Sequence, residues 1–264
     1  MSYRFAHHRE AIDRVAARFG RDPEVVALLL GGSIAHGYAT PKSDVDILIV
    51  VSDEAYERRK SANALLFYDK ELAGYDDGYV DGKYISADYL RLVAEKGNEP
   101  TRYAFKDSRV LFSRADEIPA LVTRAASFPL ASKESNSIRF YAQIHAWKWH
   151  FYEGLCHGNE FLISTSVDRF VLFCARLILN YNEMLYPYLK WLFAELEKAP
   201  AKPVDFDGAL RALVQSKDPA TLEAIVGSLK AMHDWGLGDW DWPSHFHRDV
   251  ESVWLRHESA ISDI

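Results

Sequence analysis

The sequence predicts an α+β protein: a small mixed β-sheet domain over residues 1–128, followed by an all-α helical bundle over residues 129–264. Two observations carry the prediction. In the first half, short apolar runs such as Val25–Leu30 and Ile47–Val51 are bounded by glycines or acids, and are too short for core helices. Near Pro129 that pattern gives way to long aromatic-rich stretches at helical spacing, and all seven tryptophans lie beyond this point. A chain of 264 residues is long enough for two hydrophobic cores. With 48% hydrophobic and 26% charged residues it reads as globular, not disordered.

Arg9 to Phe19 reads as a helix, with Ile12, Val15, Ala16 and Phe19 on one face and Gly20 closing it. Val25–Leu30 is a buried strand that ends at the turn Gly31-Gly32, and Ser33 is placed to cap a short helix over Ser33–His36. A loop through Thr40-Pro41-Lys42 leads to Asp44-Val45-Asp46 and the strand Ile47–Val51. Ser52-Asp53-Glu54 supplies the cap and acidic first turn of a helix predicted to reach Tyr68. Tyr79–Ile85 has strand composition, and Ser86-Ala87-Asp88 then opens a helix. Arg109–Phe112 is a further strand and Ile118–Ala126 a helix. The second domain reads as helices over Lys133–Leu155, Phe161–Asn182, Pro187–Glu197, Phe206–Gln215, Pro219–Met232 and Phe246–Glu258, with a proline-marked loop at Ala199–Pro203. There is no internal repeat.

Chemistry concentrates between the first two strands. Residues i and i+2 of a strand point to one face, so Asp44 and Asp46 project together while Val45, Ile47, Ile49 and Val51 face a core. Two adjacent carboxylates repel, an arrangement that makes sense when divalent cations neutralise them, with Mg²⁺ the usual oxygen-bound ion beside phosphates. The Gly31-Gly32 turn lets backbone approach a ligand closely, and the N–H groups of such a turn and helix start favour a phosphate.

Gly32-Ser33, ten residues, Asp44-Val45-Asp46 and an apolar strand, preceded by another strand, resembles the signature of the nucleotidyltransferase superfamily, the fold shared by small antibiotic nucleotidyltransferases and polymerase beta. The resemblance implies a Mg²⁺-dependent enzyme with a nucleotidyltransferase domain over 1–128 and a helical substrate-binding domain over 129–264. It also implies a third carboxylate on a neighbouring strand. Asp81 is the choice, inside a strand with Lys83 on its face, although Gly82 departs from the apolar residue expected there; Asp76 and Asp77 compete from the preceding turn. Asp44, Asp46 and Asp81 would hold two metal ions, Asp81 also serving as general base toward an acceptor hydroxyl. Gly31, Gly32 and Ser33 would contact the phosphates of ATP or another nucleoside triphosphate. Lys190, in the polar and aromatic segment Asn180–Trp191, is a weaker candidate for the triphosphate, its alternative being a solvated helix residue. The acceptor implied is a small hydroxylated molecule of the aminoglycoside type.

The formal net charge of −7 weighs against a nucleic-acid partner, and Glu153, Glu183, Asp239 and Asp241 among aromatics suit a polar or cationic ligand. No apolar stretch has signal-peptide or membrane-span character, so the expectation is a cytoplasmic protein without a membrane partner. Cys156 and Cys174 read as buried free thiols. His145, His150 and His157, and His233 with His245 and His247, read as packing and hydrogen-bonding groups rather than zinc ligands. The loop Trp235–Pro243 reads as packing against the bundle rather than a lid. Two alternatives stand beside the leading reading: adenylylation of a protein partner, as in antitoxin-like members of the fold, and a nucleotide-binding module without turnover.

Overall fold

A computed structural model describes residues 4–238, 240–256, 258, 261, 262 and 264. The chain divides into two units, 1–97 with 101–127, and 98–100 with 128–264. The first is built on a five-stranded mixed sheet, β1 (Val25–Leu30), β2 (Val45–Val51), β3 (Leu66–Asp69), β4 (Val80–Ser86) and β5 (Arg109–Ser113), in the order β3-β4-β2-β1-β5. Only β2 and β4 pair in parallel; the other neighbours are antiparallel. Helices α1 (Ala6–Phe19), α2 (Gly32–Ala35), α3 (Asp53–Ser61), α4 (Ala87–Lys96), α5 (Glu99–Phe105) and α6 (Ile118–Ala125) complete the element order, α5 beginning in residues that cluster with the second unit.

The alternation of β2 decides how the sheet is covered. Val45, Ile47, Ile49 and Val51 join Leu28, Leu30 and the apolar stripe of α1 in one core. Leu48 and Val50, on the opposite face, pack with Ala27, Leu29 and residues of α4 and α6 in another. Asp46 shares that second face with Leu48 and Val50 but lies one step nearer the strand's beginning.

Two expectations fail in this unit. The helix after Ser52 does not reach Tyr68 but ends at Ser61, and Leu66–Asp69 is an edge strand. Asn63 adopts a left-handed φ of 54° while the Ala64 N–H donates back to the Arg59 carbonyl at 2.8 Å, a turn that stops the helix and releases the chain into β3. Ser33 is not the cap of α2: Gly31 holds the N-cap position, and Ser33 sits inside the first turn.

The second unit is all-helical. Helices α7 (Lys133–Cys156) and α8 (Glu160–Tyr181) are joined by His157–Asn159, and α9 (Leu192–Glu197), α10 (Phe206–Ser216), α11 (Pro219–Met232) and α12 (Trp242–Phe246) follow. Asn159 accepts a hydrogen bond from the Leu162 N–H and caps α8, and Gly154 lets the two long helices close, because a Cβ there would come within 2.8 Å of Ile163 Cγ1. Helix α8 is apolar nearly all round and is the centre of the core, with Phe170, Phe173, Leu177 and Ile178 fully enclosed. Where Phe246–Glu258 was expected to form one helix, α12 is followed by a wide turn over His247–Glu251 and a 3₁₀ turn over Val253–Arg256. The expected helix over Pro187–Glu197 begins instead with a 3₁₀ turn at Leu189–Trp191. Cys174 is buried, but Cys156, at the last turn of α7, is exposed. Among the described residues no helix is long and apolar enough to cross a membrane.

At the middle of this core lies a full charge. The Arg176 guanidinium sits between the rings of Phe140 and Tyr186, 4.4 and 4.5 Å from their centroids. It donates to Glu99 Oε1 at 2.9 Å and to the carbonyls of Ile261 and Ile264, while Glu99 Oε2 accepts from the Tyr186 N–H at 2.8 Å. A buried pair of this kind holds its partners in register more than it adds stability, because desolvation offsets most of the attraction. Removing one charge is different. Glu99→Gln is expected to cost about 3–5 kcal/mol in urea denaturation, while Glu99→Leu combined with Arg176→Met recovers most of that loss.

Candidate active site

The parallel register of β2 and β4 sets Asp46 directly beside Asp81. Asp44, two residues earlier and on the same side, joins them, and one carboxylate oxygen from each of the three lies within 4.8 Å of the others. This is the one such group of three His, Cys, Asp or Glu side chains among the described residues. Asp76 and Asp77 take no part; Asp77 is an exposed turn residue paired with Lys42 at 3.3 Å.

Gly82 is explained by the same register. It lies opposite Ile47, and a Cβ at that position would stand 2.6 Å from the Ile47 carbonyl oxygen. An apolar side chain at 82 would force the parallel strands apart and separate Asp46 from Asp81.

The glycine turn is drawn against the acids. The Gly31 N–H donates to the Asp46 carbonyl at 2.9 Å, which ties the end of β1 to the start of β2. Gly32 has φ +60°, and a Cβ there would overlap the Asp46 carboxylate, so no other residue fits. Ser33 follows, buried, its Oγ without a hydrogen-bond partner. A buried hydroxyl left without a partner is an anomaly for a purely structural turn.

Asp44 depends on a pinned loop. The Ser43 carbonyl accepts the Tyr75 hydroxyl at 2.6 Å and is 3.1 Å from Nε2 of His8, and Nε2 of His7 is 3.0 Å from the Pro41 carbonyl. Burial, and then the neighbouring His7, lower the pKa of His8, so it serves as a neutral strut. Tyr79 hydrogen-bonds to Asp44, and that bond, the Asp44 charge and burial push its phenol up to about 12. Its ring centroid is 5.2 Å from that of Tyr68, which lies beside Asp81 in the β3–β4 register. Neither tyrosine, nor His8 or Tyr75, was legible as a site residue. The only signal was aromatic density on both sides of the acidic turn Asp76-Asp77.

Electrostatically the cluster is unfinished. At an effective dielectric near 20, two unit charges 4.8 Å apart repel by about 3 kcal/mol. Burial, and then the Asp44 charge, raise the pKa of Asp81, against a hydrogen bond with Asp46 and the nearby Lys83 ammonium, which lower it. A divalent cation supplies what a proton otherwise must, and three carboxylates are the oxygen donors such an ion prefers. The residues fit a metal site.

The family model described as nucleotidyltransferase domain matches residues 8–114. The chain carries a nucleotidyltransferase domain. That makes it an enzyme of the nucleotidyl-transferring class, a class that uses a nucleotide substrate and a divalent metal, and the three carboxylates could hold such an ion. A nucleotidyltransferase-like protein from Exiguobacterium sibiricum is similar to it in structure, with TM-score 0.48 and 12% identity over 94% of this chain and 79% of that one. No curated protein matches the sequence.

Most of the other residues singled out in the sequence make local contacts of their own. Lys190 belongs to the second unit, exposed on the 3₁₀ turn with its ammonium 5.0 Å from the Trp191 ring centroid. Glu153 and Glu183 are met by His157 at 3.4 Å and Lys133 at 2.7 Å, Asp241 is exposed, and Asp239 lies outside the described residues. His150 packs against Trp147, Trp149 and Phe246, and His247 pairs with Glu251 at 2.8 Å. His36, in the motif loop, stacks on Tyr103 and lies 3.4 Å from Asp107. Trp235 is buried and donates to the Leu229 carbonyl, which makes it a packing residue.

A pH dependence follows for the metal-free nucleotidyltransferase. The folded state holds the Asp81 proton to higher pH than the unfolded chain does. Its stability is therefore full below the unfolded pKa and falls as pH rises through the folded one. Asp81→Asn is expected to remove that fall and to melt above the wild type at neutral pH in chelator. Magnesium at ten times its Kd is expected to stabilise the wild type by about 1.4 kcal/mol and the variant by much less, read as Tm shifts. Gly32→Ala is expected to displace Asp46 and abolish the magnesium shift.

Proposed function

We propose that this enzyme transfers a nucleoside monophosphate, AMP from ATP, to a hydroxyl of a small polar molecule such as an aminoglycoside-like antibiotic, in the cytoplasm and with Mg²⁺. The observation that carries the reading is the convergence of Asp44, Asp46 and Asp81 beside the Gly31–Ser33 turn. Asp44, Asp46 and Asp81 would hold the magnesium, two ions being the number proposed, and bound there it supplies charge neutralisation for the triphosphate and acidifies the acceptor hydroxyl.

The chain's own groups do the rest. Gly31, its own N–H bound to the Asp46 carbonyl, shapes the turn, and the Gly32 backbone and the unpartnered Ser33 hydroxyl receive terminal phosphate oxygens. Asp81, whose proton affinity is raised by burial and by Asp44, accepts the proton of the attacking hydroxyl. As that O–H bond breaks, an O–P bond forms at the α-phosphorus, the bond from it to the bridging oxygen breaks, and pyrophosphate leaves. Tyr79 holds the Asp44 carboxylate in place through its hydroxyl. We assign Lys190 to the triphosphate as a point charge, and residues 129–264 to binding the acceptor. The net charge of −7 supports a small-molecule acceptor over a nucleic-acid strand, whose backbone demands clustered Lys and Arg.

The test is labelled ATP with magnesium against aminoglycosides, lincosamides, a protein extract and tRNA. Labelling of a small molecule is expected, and Asp46→Asn is expected to lower kcat at least about 10³-fold, some 4 kcal/mol of transition-state stabilisation, with Tm unchanged or raised. Lys190→Ala is expected to raise KM for ATP. Salt-sensitive labelling of tRNA, or full activity of Asp46→Asn, would overturn the proposal.

A further inference from the structure

The helical unit contains a cavity of about 380 Å³, a size suited to a small ligand. Asp168, Arg169 and Leu172 of α8 line it together with Tyr186, Tyr188, Leu189 and Ser262. Three features set it apart from an ordinary surface groove.

Its floor is built. Tyr186 is 1% exposed, its N–H bound to Glu99 and its ring against the Arg176 guanidinium, itself locked by Glu99. A wall held this way is preorganised.

Its charges are unspent. Elsewhere in this unit, Lys133, Arg139, Lys148, Lys202 and Arg211 each meet an acid. Asp168 and Arg169 face the same cavity, yet among the described residues neither side chain has an ion pair or a hydrogen bond.

Its rim is strained. Tyr188 has φ 65° and ψ −179°, a region that side chains other than glycine's hydrogen rarely occupy, at a cost of about 1–3 kcal/mol. The sequence places there not glycine but a tyrosine, 54% exposed, whose ring centroid is 6.1 Å from that of Tyr186.

A carboxylate and a guanidinium on successive helix residues diverge by about 100° around the axis. A ligand meeting both must carry opposite charges a few ångströms apart, and the leucines and phenol rings offer the remainder an apolar bed. We propose that this cavity binds a small zwitterion with an apolar or aromatic body, of the free α-amino-acid class. Asp168 takes the ammonium, which also lies against a tyrosine face, and Arg169 takes the carboxylate.

The experiment titrates the full chain by calorimetry with L-phenylalanine, phenethylamine and 3-phenylpropionate, three probes that share a body and differ in charge. Phenylalanine is expected to bind at least about tenfold tighter than either singly charged probe. Asp168→Asn is expected to weaken phenylalanine about tenfold and leave 3-phenylpropionate unchanged; Arg169→Gln weakens phenylalanine and leaves phenethylamine unchanged. Both positions are exposed, so the fold is unaffected, as circular dichroism checks. Tyr188→Gly is expected to lose affinity while melting no lower than the wild type, which separates a ligand role from a structural one. No binding of phenylalanine at millimolar concentration, equal binding of all three probes, or indifference to both charge substitutions overturns the proposal.

Discussion

The parallel pairing of β2 with β4 is the constraint on which the first unit depends. In an otherwise antiparallel sheet it alone sets two acids from distant parts of the chain at the same level, Asp46 against Asp81. Everything nearby serves that registration. Ile47 needs Gly82 opposite it, so the strands can close, and the Gly31 N–H clamps the start of β2 from the other side. The apolar residues of β2 fill cores on both faces, which makes a slip of one residue prohibitive, since it would drive the Asp46 carboxylate into the core that Ile47 now occupies. A hydrophobic pattern thus holds together three charges that repel each other.

The same logic explains the glycines and the aromatic supports. Gly32 is there because a side chain would occupy the space of the Asp46 carboxylate. His7, His8 and Tyr75 fix the loop before Asp44 through backbone carbonyls, and Tyr79 holds the carboxylate itself. The strain lies in the electrostatics, with Asp81 pushed toward its protonated form by burial and by Asp44. Strain of that kind is what a bound cation relieves, which links the stability of the fold to its chemistry.

The helical unit is organised around a different charge. Arg176 lies within an apolar helix, held by Glu99, by two carbonyls and by two aromatic rings. Its partner arrives from residue 99, so residues far apart in sequence are tied to α8 at one point. The ordering passes on to Tyr186 and so to the cavity beside it.

Local pattern by itself determined most elements, the Asp44–Asp46 pair and the nucleotidyltransferase signature, because alternation, caps and glycine turns are written in neighbouring residues. Val25–Leu30, Phe206–Ser216 and Pro219–Met232 lie within a residue of their expected bounds for that reason. The edge strand at Leu66–Asp69 was hidden because it is only four residues long and pairs on one side alone, with β4, while a good helix cap at Ser52 made a longer helix plausible. Exposed Cys156 was misread because it is the last residue of α7, beyond Gly154 where the buried part of that helix ends. Tertiary structure alone decided that Asp81 rather than Asp76 or Asp77 stands beside Asp46, since strand register is a property of pairing and not of either strand. It also decided the parts played by Tyr79, His8 and Arg176, whose partners are 35 to 88 residues away in every case but the nearest contacts. Such bonds follow from burial, which strips water from these groups and leaves them to whichever partner the fold brings within reach.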